Sequence, residues 1–95
     1  MPDPRENAKG LTADKVAIIE KAFLRYVVGS ITNKSGNKFS YLTVTINLFD
    51  GNGKLVGSTA AAIQNFEPSR VWSFEAGILS DEISSAAVRE IMGWL

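Results

Sequence analysis

The chain contains no cysteine and no histidine in 95 residues. Without cysteine there is no disulfide, thiolate nucleophile, zinc–thiolate site or iron–sulfur cluster. A cysteine-free domain suits any redox compartment, so this absence does not choose one. Without histidine the usual general base near neutral pH is missing, together with the commonest transition-metal ligand. Net charge is missing too: ten basic and ten acidic side chains cancel. No basic run exceeds two residues, which removes the electrostatic footprint of a nucleic-acid binder and of a surface docking on anionic lipid. No apolar run approaches the roughly 18–20 residues that span a bilayer, so no direct membrane insertion by this segment is expected.

What remains is an ordinary globular composition, 45% hydrophobic and 21% charged. The length suits one domain and one modest core. The opening residues Met1 to Asn7 are polar and proline-bearing, unlike a signal peptide. Residues 1–10 offer few apolar side chains to offset their ordering entropy and read as a flexible lead or linker. Residues 11–95 then form a single domain. The chain is expected to be either cytoplasmic or part of a longer protein whose address lies elsewhere.

Strand patterns dominate the middle. Leu42, Val44, Ile46 and Leu48 alternate with Thr43, Thr45 and Asn47, the period of a strand with one buried face. Burying those four contributes roughly 1.5–3 kcal/mol each before entropy is subtracted. The segment from Val27 to Asn33 is rich in β-branched residues, and "NKSGNK" supplies a turn. "KLVGSTAAAIQNF" continues as a strand whose small residues suggest close approach of a neighbour. Pro68 marks a turn, and Trp72, Phe74 and Ala76 share the next strand's face. The bland reading of Trp72 and Phe74 is core packing between sheets. Two segments, 12–24 and 81–92, are open between helix and strand: the first by itself favours helix, and the second reads as coil or a short helical turn followed by a strand from about Ala87. Val16, Ile19 and Phe23 recur at helical spacing, and so do Ile83, Ala87 and Ile91.

The candidate sites are few. Asp50-Gly51-Asn52-Gly53 begins like a calcium loop, but Lys54 stands where an acidic ligand is wanted and no closing glutamate follows before Glu67. A phosphate cradle needs a following helix, and a strand follows instead. A hairpin turn needs these residues for positive φ. No paired carboxylates, G-x-S-x-G, S-x-x-K or P-loop pattern occurs, so no catalytic, cofactor or metal residue is assigned and an enzyme is not expected. If Leu42 and Leu48 point inward, Tyr41 and Phe49 point outward. With Trp94 they form the candidate interaction surface, either an interface patch or a face covered by the N-terminal segment.

The runs "GSITNKSG", "YLTVTINLFDGNGKLVG" and "NFEPSRVWSFEA" together are similar to the FxLYD domain family. The family motif falls on Ile46-Asn47-Leu48-Phe49-Asp50, with Ile and Phe replacing its two aromatics. Gly29, Asn33, Gly53, Gly57, Trp72 and Phe74 stand at further motif positions. Ser69 stands where the family has glycine after proline. The resemblance implies an all-β, immunoglobulin-like β-sandwich of six or seven antiparallel strands, of a kind found in bacterial envelope proteins, and it implies no activity. It moves both ambiguous ends towards strand. The expected function is a non-catalytic module acting through protein–protein contact or as a spacer, its partner an unknown protein or a second copy. The alternative is a small-molecule or polysaccharide binding module using exposed aromatics.

Overall fold

Leu42, Val44, Ile46 and Leu48 are all buried, and the strand that carries them organises half of the molecule. A computed structural model describes residues 3–95. In chain order it contains α1 (Pro4–Asn7), a 3-10 turn (Ala8–Gly10), β1 (Leu11–Ala13), β2 (Ala17–Lys21), β3 (Leu24–Asn33), β4 (Phe39–Phe49), β5 (Leu55–Phe66), β6 (Val71–Ile78) and β7 (Ser85–Trp94).

The seven strands form two antiparallel sheets. In the first, β3 is central, with β6 along one edge and β1 and β2 sharing the other. In the second, β4 lies between β5 and β7. Their inner faces meet in one core, to which Val27, Ile31, Phe74 and Ala76 contribute from the first sheet and the β4 residues from the second. Ile83, in the loop before β7, plugs one end of that core.

Both ambiguous segments carry strands. The helical spacing of Val16, Ile19 and Phe23 dissolves on inspection of burial. Val16 and Ile18 pack against the core, whereas Ile19 is 36% and Phe23 98% exposed. Pairing with β3 outweighs local preference here, because a strand buries every second residue without a second apolar stripe. Near the C-terminus a turn at Asp81–Glu82 precedes β7, and β7 pairs with β4 from Ser85 to Trp94. Pro4 to Gly10, read from sequence as a lead with little to bury, forms α1 and the 3-10 turn. Ala8 is buried there, and the Asn7 amide donates to the Gly93 carbonyl at 2.9 Å.

At the Glu67–Arg70 turn, Arg70 N–H donates to the Glu67 carbonyl and Ser69 has φ +65°. Positive φ at the third turn position, after a proline, defines a type II turn, which glycine occupies without strain. Ser69→Gly is therefore expected to stabilise the fold by about 0.5–1 kcal/mol. Thermal unfolding followed by circular dichroism would show it, and an unchanged or lower midpoint would refute the turn assignment.

Candidate functional site

The Asp50 turn resolves as a joint. Asp50 Oδ1 accepts the N–H groups of Asn52 (2.9 Å) and Lys54 (3.0 Å), and Gly53 adopts φ +79°. The carboxylate is thus engaged in holding its own hairpin, as short polar side chains do in turns. Among the described residues no three acidic, histidine or cysteine side chains converge as a metal site would require. Of the other positions singled out in the sequence, Ile46 and Leu48 are core residues, and Asn33 is 1% exposed. Gly29 lies under the Phe74 ring, and Gly57 has open space around it.

Tyr41 and Trp94 do come together. They are cross-strand partners on the outer face of the second sheet, with ring centroids 5.7 Å apart and planes tilted by 47°. Both are exposed, at 39% and 38%, since the N-terminal segment docks on β7 and leaves them open. Phe49 does not join them. It is half-buried at the opposite end of β4, paired with Leu55 and Ser85. Eight residues of extended chain put it about 26 Å from Tyr41.

Another exposed apolar group lies at the β2–β3 hairpin tip. Lys21 pairs with Leu24, so the hairpin loop is the two residues Ala22 and Phe23, with φ +50° and +69°. Such a turn twists with its strands, but it strongly favours Asn-Gly, because a Cβ is strained at positive φ. Ala-Phe occupies it here with the Phe23 ring 98% exposed. Beside it stand Leu24, 56% exposed, and Leu79, fully exposed just past β6. Arg25 pairs with Ile78, and its guanidinium donates to the carbonyls of Ser80, Asp81 and Ile83. That clamp fixes the loop after β6, which begins at Leu79.

The apolar surface continues down the outer face of the first sheet through Ile19, Tyr26 and Val28. Lys21 crosses it, bonding Glu75 at 2.6 and 2.9 Å with its ammonium 5.5 Å from the Tyr26 ring centroid. The hydrogen bond and charge of Glu75 hold the Lys21 ammonium above its ordinary range. By contrast, the outer face of the second sheet presents Thr45, Asn47, Ser58, Ala60, Ala62 and Gln64 around the Tyr41–Trp94 pair.

A shallow cleft of about 340 Å³ opens where β5 and β6 diverge, lined by Ile63, Asn65, Arg70 and Trp72 among others. Trp72 belongs to an edge-and-tilt series with Phe66 and Phe74, at centroid distances of 6.5 and 5.5 Å. The series continues into the core, which accounts for Trp72 as a packing residue. Sequence reasoning missed the tip because it counted Phe23 as the buried end of a helical stripe. A strict period-two reading of Ile18, Val27 and their neighbours would have left Phe23 in a turn.

Comparison of the chain with protein-family models, curated proteins and solved structures finds no match. No helix among the described residues is long and apolar enough to cross a membrane. Fold and surface together define an all-β protein of two packed antiparallel sheets with an apolar tip.

Proposed function

We propose that this chain is a non-catalytic interaction module with an immunoglobulin-like arrangement of the FxLYD kind, which binds a protein partner through its β2–β3 tip. The strand neighbours support the arrangement: β3 lies beside β6 in one sheet and β4 beside β7 in the other, and the chain crosses between sheets from β3 to β4 and from β6 to β7. The resemblance also supports a bacterial, envelope-associated setting. One observation carries the functional reading, the strained Ala22-Phe23 turn with Phe23, Leu24 and Leu79 exposed together. Folding alone would favour Asn-Gly at those positions. An apolar residue kept at a cost in strain, fully exposed beside two leucines, is what a partner-facing surface looks like.

The alternative, a glycan or metabolite module, rests on Tyr41 and Trp94. Their 47° tilt breaks the flat platform a sugar ring would stack on, so the tip is favoured. The test combines stability and contact. Ala22→Asn with Phe23→Gly is expected to raise the unfolding free energy by about 1–3 kcal/mol, as two strained residues are relieved. In the cells the protein comes from, a photo-reactive phenylalanine at position 23 is expected to cross-link one discrete protein. The same probe at position 45, on the other sheet, should not. Equal cross-linking at both positions, or a stability loss in the Asn-Gly variant, would sink the proposal.

A further inference from the structure

The two sides of the molecule are closed differently. Along one side the edges of β5 and β6 are stitched by Thr59, whose Oγ1 donates to the Gly77 carbonyl at 3.0 Å. Along the other, β7 faces the edge shared by β1 and β2, and that edge is interrupted at Asp14–Val16. A groove of about 320 Å³ lies there, with Ala13 and Val16 on one wall and Ala86 and Val88 on the other.

β7 pairs only with β4, so one whole side of its backbone lacks a strand. Ala86, Val88, Ile91 and Gly93 lie opposite the inward residues Leu48, Ile46, Val44 and Leu42. In an antiparallel ladder every second residue turns both its N–H and its C=O towards the same neighbour. The Gly93 carbonyl is turned away from β4, because Asn7 Nδ2 reaches it at 2.9 Å. Alternation then turns the backbone groups of Ile91 outward. The register shift between Thr45 and Ile46 leaves Arg89 unpaired, and past that bulge the same holds for Val88 and Ala86. The α1 segment covers the Gly93 end of this edge. On the side away from β4, no strand among the described residues pairs with the Ala86–Ile91 stretch.

We propose that this stretch is a strand-addition site for an extended segment of a partner protein, with small apolar side chains alternating along it and acidic residues beside them. The backbone sets the first requirement, since only an extended chain satisfies a row of outward N–H and C=O groups. The groove sets the second, because its alanine and valine walls leave room for small apolar side chains entering from the added strand. Charge sets the third. Lys15 and Arg89 flank the groove, both exposed and without an ion pair among the described residues. Of the two nearby acids, Asp14 accepts the Ser30 hydroxyl at 2.7 Å on the outer face of the first sheet, and Glu90 stands opposite Thr45 on the outer face of the second. A second copy fits less well, because two β7 strands paired along their length would each meet the other's α1. The site is separate from the hairpin tip and does not depend on it.

A displayed library of random ten-residue peptides, selected on the full chain, tests this directly. Enriched peptides are expected to alternate small apolar residues and to carry glutamate or aspartate. The best of them, added to the labelled protein, should slow hydrogen exchange at the amides of Ala86, Val88 and Ile91. Ala86→Pro removes one outward N–H on an edge strand, where proline is tolerated, and should weaken binding by about tenfold or more. Ala13→Phe fills the groove from the opposite wall without touching the β7 ladder. It should weaken binding similarly, and it serves if the proline variant is not folded by circular dichroism. Three results overturn the proposal: no enrichment over an unrelated bait, protection confined to other residues, or full binding by both variants. Concentration-dependent protection of these three amides in the protein alone would overturn it as well, by assigning the edge to a second copy.

Discussion

Asn33→Leu is expected to lower the free energy of unfolding by about 3 kcal/mol. Asn33 is 1% exposed, and its side chain is saturated with partners. Nδ2 donates to the carbonyls of Asn37 (2.8 Å) and Glu67 (3.1 Å), with Phe66 at 3.5 Å. Oδ1 accepts from Ser35 N–H (3.1 Å) and Ser35 Oγ (2.6 Å). Its backbone adds bonds to Arg70 and Ser69. One amide thus ties the β3–β4 loop to the β5–β6 turn. Leucine matches it in size but leaves part-buried carbonyls and an N–H without their partner, each costing up to about 1–3 kcal/mol. Urea denaturation measures the loss. A change below about 1 kcal/mol would mean that water replaces the lost partners and the network is not buried in solution.

Phe74→Ala is expected to cost about 3–5 kcal/mol, the range for emptying a buried aromatic site. Phe74 is 2% exposed, and its ring tilts against Trp72 at 5.5 Å. It also fills the space a side chain at Gly29 would need, the two residues being cross-strand partners. A Cβ on Gly29 would stand 2.8 Å from Phe74 Cζ and 2.9 Å from Val16 Cγ1. Gly29→Ala should therefore destabilise the wild type by about 1–3 kcal/mol through overpacking. In the Phe74→Ala background that penalty should shrink, because the ring is gone. A double-mutant cycle reads this coupling. Strict additivity of the two changes would show that the ring does not rest on Gly29.

Much of the core is legible in the sequence. The alternation from Leu42 to Leu48 specified a face, and that face is buried. Asp50 and its glycines specified a turn by their tolerance of positive φ, and they form one. The surface was far less legible. Parity groups Tyr41 with Phe49, but it gives the side of a sheet and not the position along it, and nothing local places Trp94 beside either. Tyr41 and Trp94 meet because β4 and β7 pair antiparallel, and the same pairing carries Phe49 to the far end. The tip escaped notice for a related reason. Exposure of Phe23 depends on a two-residue loop, and neither Ala nor Phe signals one.

Periodicity and turn chemistry, local properties of consecutive side chains, specify the central strands, their inward residues and their punctuation. Only the tertiary structure decided that 12–24 and 81–92 become strands, because their apolar residues fit either period until β3 and β4 supply ladders. It alone decided which edge stays open. Thr59 closes one side through Gly77, eighteen residues away, whereas the break at Asp14–Val16 leaves β7 uncovered. Such pairings depend on which strands become neighbours, and no local spacing in the chain encodes that.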